Sequence, residues 1–222
     1  MISRTGTLAG LGIPTGRLPI AARMHFLEGD PLSDPQVQLI SRHLELLLKW
    51  NARVNLTSIS EAEQIVARHF GESLFAARNL YQVPSGLGSL IDLGSGAGFP
   101  GIPIKIWATE LHVMLIESRQ KKATFLREVL RDLGLPDVEV ANQRAESLGL
   151  QADTVTLRAV EKFDVSLSVA ADLMKNGGRL ALLIGSAQVA RATSLLPQLS
   201  WEGSIPMPLS QSRVLLIGHS SR

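Results

Sequence analysis

The stretch that decides the fold is Leu90-Ile91-Asp92-Leu93-Gly94-Ser95-Gly96-Ala97-Gly98-Phe99-Pro100-Gly101-Ile102-Pro103. It opens as a short apolar run with a β-branched residue, which is typical of a buried parallel strand. Three alternating glycines follow, and because they carry no Cβ the backbone of this turn can approach a ligand closely. Pro100 or Pro103 can occupy the first turn of a following helix, where a missing N–H costs nothing. Strand, glycine turn and helix N-terminus together predict a nucleotide-type site at the carboxyl end of a first strand.

Two positions indicate which kind of nucleotide this site takes. The dinucleotide fingerprint G-x-G-x-x-G needs its third glycine where Phe99 stands. The carboxylate of Asp92, just before the glycines, suits a methionine ammonium group and would repel a pyrophosphate. The pattern Asp-x-Gly-x-Gly-x-Gly resembles motif I of the class I S-adenosylmethionine (AdoMet) methyltransferases. We therefore expect Asp92, Gly94, Gly96 and Gly98 at an AdoMet site, with dinucleotide binding and a purely structural turn as the alternatives.

Length and composition bound the class of protein. The 222 residues allow one large α/β domain with a small helical appendage, and at a net charge of +2 any nucleic-acid footprint must be a local patch. No apolar run approaches the ~18 residues of a membrane span. Gly10, Gly12 and Pro14 interrupt any signal-peptide core, so we expect a soluble cytoplasmic protein without membrane contact. The chain holds no cysteine, which excludes disulfides, zinc–thiolate sites and cysteine attack on pyrimidine C5.

The N-terminal part of the chain is predicted to be helical. Residues 1–33 show no sustained period, and we expect a poorly ordered segment there. Residues 34–82 are predicted to form a helical subdomain, with Asp34 as the N-cap of its first helix. A capping box formed by Ser60 and Glu63 is predicted to start its second helix. His69 lies within the apolar face of that helix, where a structural role is favoured over that of a ligand.

Residues 83–222 form the predicted methyltransferase domain. Strands are expected at 89–93, 112–117, 138–141, 154–157, 179–184, 201–206 and 214–218. Helices are expected at 99–108, 119–133, 165–175 and 188–196, with Gly134 and Asn176-Gly177-Gly178 ending the second and the third. This alternation predicts a doubly wound α/β fold of the Rossmann-like type, with a mainly parallel seven-stranded sheet and an antiparallel edge strand.

Polar residues follow three of the predicted strands. Glu117 stands about twenty residues after the glycine turn, where a carboxylate can accept hydrogen bonds from both ribose hydroxyls of an adenosine ligand; capping of the next helix is the alternative. Ala145 and Glu146 lie in the loop that lines the adenine in this fold. Arg158 ends the fourth strand, where the transferred methyl group must lie. A buried arginine needs an acidic or phosphate partner, and an internal pair with an acid such as Glu161 is the alternative to a site role.

The helix after Glu117 is basic. It carries Lys121, Lys122 and Arg127, for which contact with RNA phosphates and a solvated face are the two alternatives. No metal site is predicted. Arg158-Ala159-Val160 stands where methyltransferases of exocyclic amines carry Asn/Asp-Pro-Pro-aromatic, so that class of acceptor is disfavoured.

Several motifs together resemble one family over about residues 35–218. They are Trp50-Asn51…Asn55-Leu56-Thr57, Arg68-His69…Glu72-Ser73, Asp92-Leu93-Gly94…Gly98-Phe99-Pro100-Gly101-Ile102-Pro103, Glu117…Lys121-Lys122…Phe125-Leu126 and Arg158-Ala159. They are similar to the bacterial small-subunit ribosomal RNA guanine-N7 methyltransferase family (RsmG, also called glucose-inhibited division protein B). The Pro-Gly-Ile-Pro extension of motif I is far more specific than the glycines.

The resemblance implies both a reaction and its residues. The reaction is transfer of the AdoMet methyl group to N7 of a guanine in 16S rRNA, free or in the 30S subunit, without a metal. We expect a monomer that does not bind DNA; a small-molecule methyltransferase and a non-catalytic RNA-binding module are the alternatives. The implied AdoMet contacts and functional arginines are Gly94, Phe99, Ala145, Glu146, Arg158 and Arg213. Glu72 replaces a family aspartate and Ile184 a family lysine, so no catalytic lysine is expected.

Overall fold

A helical region precedes the sheet. In the computed structural model the described residues are 32–81, 88–160 and 162–221. Helix α1 spans Asp34–Asn51, α2 spans Ala62–Ile65, a π-helical segment covers Val66–Gly71, and α3 spans Glu72–Leu80. The predicted disorder before residue 32 and the predicted domain boundary at 82/83 lie outside the described residues.

The sheet region alternates strands with helices, as predicted. Its elements are β1 (Ser89–Leu93), α4 (Gly101–Trp107), β2 (His112–Ile116), α5 (Gln120–Leu133), β3 (Val138–Ala141), β4 (Ala152–Arg158), α6 (Phe163–Asp172), β5 (Met174–Gly185), α7 (Val189–Leu195), β6 (Ser200–Trp201), β7 (Ile205–Pro206) and β8 (Arg213–His219). Gly134, at φ +61°, ends α5 in the left-handed conformation expected of a C-terminal glycine.

The strand order is β3-β2-β1-β4-β5-β8-β6, and β7 also pairs with β8. Strands β1 to β5 are parallel, and β8 runs antiparallel to β5. This confirms the mainly parallel α/β sheet with antiparallel strands at one end. The predicted strand 201–206 is divided into β6 and β7, so the described residues form eight strands. The order reverses between β1 and β4, and ligands of such folds bind beside that switch point.

Three local predictions are wrong. Ser33, not Asp34, is the N-cap of α1, because its carbonyl already accepts a hydrogen bond from Val37 N–H (3.0 Å). Helix α2 begins after Glu61, without the predicted Ser60 cap. Asn176-Gly177-Gly178 lies in β5 instead of ending a helix, because α6 stops at Asp172 and the sheet ladder resumes at once. The glycines fall where β5 bulges against β4.

The helical region and the sheet share an apolar core. The side chains of Ile40, Phe70 and Phe125 are fully buried in the same cluster as those of β1, β2 and α4. A second cluster lies on the other face of the sheet, under α6 and α7. No helix in the described part of the chain is long and apolar enough to cross a membrane. The α1–α3 region lies against the carboxyl ends of β1 and β4, where His43 contacts Ala97 and Glu72 contacts Arg158.

Candidate active site

The glycine turn after β1 is held by backbone hydrogen bonds and close packing. Gly94 and Ser95 N–H both donate to the carbonyl oxygen of Ile116, over 2.9 and 3.0 Å. A Cβ on Gly98, which has φ +90°, would lie 2.5 Å from Ile102 Cδ1. A Cβ on Gly101 would lie 2.5 Å from Leu115 Cδ2. Glycine is therefore required at Gly98 by its positive φ, and at Gly101 by space, because a Cβ there would also lie 2.9 Å from the Cβ of Asp92.

Asp92 connects three elements from a buried position. Its Oδ2 accepts a hydrogen bond from Gly101 N–H (3.1 Å), and its Oδ1 accepts one from the Thr156 hydroxyl (2.8 Å). Burial raises the pKa of this carboxyl to about 6, although both hydrogen bonds act in the other direction. Asp92 thus joins β1 to the start of α4 and to β4. Binding of a methionine ammonium by Asp92 stays a prediction.

Glu117 connects the glycine turn to α5. Its Oε2 accepts a hydrogen bond from Gly96 N–H (3.1 Å), and its Oε1 accepts one from Arg119 N–H (2.7 Å). The helix-capping alternative is therefore realised. Each carboxylate oxygen keeps a further lone pair, so ribose binding by Glu117 stays a prediction beside it.

A cavity named here the Glu117 cleft has a volume of about 400 Å³. Its lining includes Leu93, Gly94, Ile116, Glu117, Ala145, Glu146, Val165 and Val169. The structure thus brings together four of the predicted cofactor residues. Sequence reasoning missed Val165, which is 58 % exposed at the rim, because a valine in a predicted helix carries no functional signal.

A second cavity, named here the Arg158 pocket, has a volume of about 340 Å³. Its lining includes Thr57, Arg68, His69, Gly94, Gly96, Phe99, Lys122, Arg158 and Arg213. Gly94 lines both cavities, so they meet at the glycine turn. The predicted arginines Arg158 and Arg213 thus lie in one pocket with three predicted cofactor residues.

A single buried carboxylate joins the two arginines. Glu72 on α3 has a 3 % exposed side chain, and its Oε2 lies 3.2 Å from Arg158 Nη2. Arg213 Nε lies 3.0 Å from the same carboxylate. The internal partner expected for Arg158 is thus Glu72; Glu161 lies outside the described residues. Two cations share one anion, so this trio leaves a net positive charge at the floor of the pocket.

His69 lies in the same pocket and is fully hydrogen-bonded. Its Nδ1 is 2.9 Å from Arg158 Nη2, and its Nε2 is 2.7 Å from Thr57 Oγ1. Burial, followed by the charges of Arg158 and other cations, lowers the pKa of His69 to about 3. The imidazole is therefore neutral at physiological pH. Its structural contacts agree with the prediction, whereas its position in the pocket was not expected.

Sequence reasoning missed His43, which connects α1 to the glycine turn. Its Nε2 lies 2.9 Å from the carbonyl oxygen of Ala97, and its ring stacks on Phe99 at 5.1 Å. Burial lowers the pKa of His43 to about 4, so the neutral ring donates this hydrogen bond. The signal was a histidine on the apolar face of a predicted helix, between Ile40 and Leu47.

The predicted basic residues of α5 divide by position. Lys122 is half-buried and lines the Arg158 pocket, whereas Lys121 and Arg127 are exposed. The acidic residues of the same helix face α1. Glu128 accepts a hydrogen bond from Trp50 Nε1 (3.1 Å), and Asp132 pairs with Arg42 (3.0 Å). Since these acids are directed towards α1, the outer surface of α5 is basic.

Comparisons with known proteins place the chain in a family. A family model described as rRNA small subunit methyltransferase G matches residues 36–205. The ribosomal RNA small subunit methyltransferase G of Roseiflexus castenholzii is 43 % identical over 177 residues, covering 76 % of this chain and 74 % of the relative. That of Chloroflexus aggregans is 39 % identical over 202 residues, covering 85 % of this chain and 84 % of the relative.

Comparison with solved structures shows that the fold is similar to that of other proteins. The TYW2 protein of Pyrococcus horikoshii, in complex with MeSAdo, has a TM-score of 0.57 at 14 % identity over 69 % of this chain and 63 % of that chain. The ribosomal protein L11 methylase of Lactobacillus delbrueckii has a TM-score of 0.57 at 11 % identity over 67 % of this chain and 77 % of that chain. At these identities the likeness concerns the fold alone.

Proposed function

Because the chain belongs to the rRNA small subunit methyltransferase G family, we propose that it transfers the methyl group of AdoMet to N7 of a guanine in 16S rRNA. AdoMet-dependent methylation of small-subunit rRNA follows from the family, and the alternatives of a small-molecule methyltransferase or a non-catalytic module are not favoured. The choice of guanine N7 as the acceptor is the part of the proposal that the site supports.

The two cavities suit AdoMet. The Glu117 cleft combines apolar side chains with the carboxylates of Glu117 and Glu146, and such a lining suits an adenosine with two ribose hydroxyls. The Arg158 pocket begins at the glycine turn that both cavities share, and it contains the cations that a methionine carboxylate would need. When bound, AdoMet supplies an electrophilic methyl group on a sulfonium. We propose that Asp92, Gly94, Gly96, Gly98, Phe99, Glu117, Ala145, Glu146 and Arg158 form this binding site.

The observation that carries the choice of N7 is the state of the pocket's acid–base groups. His69 has both ring nitrogens engaged and a pKa of about 3, so it is a poor proton acceptor. Glu72 is held between two guanidinium groups. Transfer to an exocyclic amine or a hydroxyl would need a base, whereas guanine N7 carries a free lone pair at neutral pH. That lone pair forms the new bond as the carbon–sulfur bond breaks, the sulfur keeps the electron pair, and no proton moves.

The residues then act by alignment. Glu72 fixes two guanidinium groups on different strands, and we propose that Arg158 and Arg213 hold the reactants in line through carboxylate, phosphate or O6 contacts. Alignment of this kind can contribute roughly 7–11 kcal/mol to lowering a barrier. A guanidinium aimed at N7 itself would block the lone pair and oppose the positive charge of the product.

We propose that the basic surface of α5 contacts the RNA backbone. Lys121, Lys122 and Arg127 would meet phosphates of 16S rRNA, free or in the 30S subunit. Replacing Lys121 and Arg127, which line neither cavity, by alanine should weaken RNA binding and flatten its salt dependence, with AdoMet affinity unchanged. An identical salt slope for wild type and variant would show that this surface is only solvated.

We also propose a cytoplasmic monomer without DNA binding, in which residues 34–82 form a helical subdomain beside a methyltransferase domain at 83–222.

The proposed function is tested by mass spectrometry of rRNA nucleosides. Small-subunit rRNA from a strain lacking the gene should contain one 7-methylguanosine fewer than rRNA from its parent. The purified protein should restore that modification with AdoMet, on naked 16S rRNA or on 30S particles. Unchanged 7-methylguanosine together with loss of another methylated nucleoside would contradict the choice of N7.

A further inference from the structure

Thr57 lies in a loop that is fixed in front of the Arg158 pocket. Asn51 Oδ1, at the end of α1, accepts hydrogen bonds from Leu56 N–H and Thr57 N–H, each over 3.0 Å. The Thr57 side chain is half-buried and lines the same cavity as Gly94 and Arg158. This loop belongs to neither the glycine turn nor the sheet, which carry the residues proposed to bind AdoMet. The Thr57 hydroxyl can therefore contact the acceptor nucleotide instead.

The hydrogen bonds around Thr57 determine where its proton can point. A guanidinium has donors only, so Arg158 Nη2, 2.9 Å from His69 Nδ1, must donate to that nitrogen. The neutral imidazole therefore carries its proton on Nε2, which donates to Thr57 Oγ1 over 2.7 Å. Ile59 N–H donates to the same oxygen over 3.1 Å. Both lone pairs of the hydroxyl are thus occupied, and its O–H remains as a donor.

Guanine presents two acceptors, N7 and O6, along one edge, whereas adenine presents an amino group in place of O6. We propose that the Thr57 hydroxyl donates a hydrogen bond to O6 of the acceptor guanine and so selects guanine over purines that lack O6, such as adenine. This inference rests on the proposed function of the site. The chain Arg158–His69–Thr57 fixes the direction of the donor.

The single hydroxyl donor of Thr57 suits this reaction better than arginine, the side chain that most often recognises guanine. Arginine most often reads guanine by donating to O6 and N7 together, which would occupy the lone pair that accepts the methyl group. Thr57 has one proton to give, so it can hold O6 and leave N7 free. Glu72 holds Arg158 through Nη2 and Arg213 through Nε, and the remaining guanidinium donors can take a carboxylate or a phosphate while Thr57 takes O6.

The test compares bases at the guanine that the nucleoside mapping identifies. Three RNAs are made by splinted ligation, carrying guanine, inosine or 2-aminopurine at that position, and are assembled into 30S particles where the enzyme requires them. Inosine keeps N7 and O6, whereas 2-aminopurine keeps N7 and lacks O6. Single-turnover methyl transfer is measured for wild type, Thr57→Val, Thr57→Ser and the distant control Thr193→Val.

Wild type should methylate guanine and inosine at similar rates and 2-aminopurine far more slowly. In Thr57→Val the ratio of guanine to 2-aminopurine should narrow about tenfold or more, the size expected when one donor to a buried acceptor is lost. Thr57→Ser and Thr193→Val should keep the wild-type ratio. Because a ratio is compared, intrinsic reactivity of the bases and any general loss of activity in the variant cancel.

An unchanged ratio in Thr57→Val would overturn the role of Thr57 while leaving guanine methylation intact. Equal wild-type rates on guanine and 2-aminopurine would overturn it as well. Absence of guanine methylation by the wild type would instead contradict the proposed function. The two failures are therefore distinguishable.

Discussion

The two cavities that meet at Gly94 are built from different parts of the chain. The Glu117 cleft takes its lining from β1 to α6, elements that follow one another along the sheet. The Arg158 pocket takes Thr57, Arg68 and His69 from the helical region and Arg158 and Arg213 from β4 and β8. The cleft thus belongs to the general methyltransferase fold, whereas the pocket exists only because distant segments meet. Variants should therefore affect them separately.

The largest effect is expected from Glu72→Gln, which breaks the Arg158 pocket at its centre. Two guanidinium groups, with side chains 10 % and 17 % exposed, would lose their shared anion. Removing one partner of a buried ion pair destabilises a protein by about 3–5 kcal/mol, and denaturant unfolding would measure this. The matched control Asp164→Asn breaks the exposed pair with Arg191 and should change little. Equal stability of Glu72→Gln and wild type would show that Arg158 and Arg213 do not depend on their shared anion for the stability of the fold.

Arg158→Ala should reduce methyl transfer, which depends on the Arg158 pocket, without reducing ligand binding in the Glu117 cleft. We expect methyl transfer to fall about a hundredfold, the size attached to loss of one preorganised electrostatic contact. Arg158→Lys should rescue it poorly, because Arg158 bonds Arg68, His69 and Glu72 through Nη2 alone, and a lysine has no further nitrogens with which to hold the reactants. Binding of 5′-methylthioadenosine, a probe of the Glu117 cleft alone, should be unchanged by calorimetry. Full activity of the lysine variant would reduce Arg158 to a point charge.

Glu72 and Arg158 show which part of the site could not be predicted from the sequence. Strand β1, the glycine turn and Gly134 were predicted closely, because each signal lies within a few neighbouring residues. The meeting of Glu72 with Arg158 and Arg213 spans 86 and 141 residues of sequence, and no local pattern encodes it.

The wrong predictions have the same cause. Asn176-Gly177-Gly178 has the composition of a helix stop, yet the partner strand draws it into a bulged ladder. The π-helical segment 66–71 was also missed; it lies where Arg68 O, His69 Nδ1 and Glu72 all reach Arg158. Tertiary contacts, which a single sequence does not display, decided both.

Glu117→Ala should give a smaller effect, confined to the cleft. Loss of the carboxylate would leave Gly96 N–H without its partner and, if ribose binds there, two hydroxyls as well. We expect the affinities for S-adenosylhomocysteine and 5′-methylthioadenosine to fall by about 1–3 kcal/mol, with the KM for RNA unchanged. Calorimetry at constant pH would measure both ligands. An unchanged affinity would return Glu117 to its capping role at α5.

The smallest effect is expected from a change in pH. A methyl-transfer rate that does not depend on pH is the result that tests whether the Arg158 pocket lacks a general base. If the acceptor is N7, the single-turnover rate at saturating substrates should change less than about twofold between pH 6.5 and 8.5, because no general base titrates. Burial and the charge of Arg158 hold the pKa of His69 near 3, so it stays neutral throughout.

Asp92 is the group that could obscure this result, because burial raises its pKa to about 6. The protonated form of Asp92 gains population only as the pH falls towards 6, so any loss of rate through Asp92 would appear at the acid end. Asp92→Asn would remove such an acid limb and leave the plateau above pH 6.5. A rate that instead rises tenfold per pH unit between pH 6.5 and 8 would reveal a general base that titrates in this range, which His69, with a pKa of about 3, does not. The acceptor would then be a group that must lose a proton, and guanine N7 would be excluded.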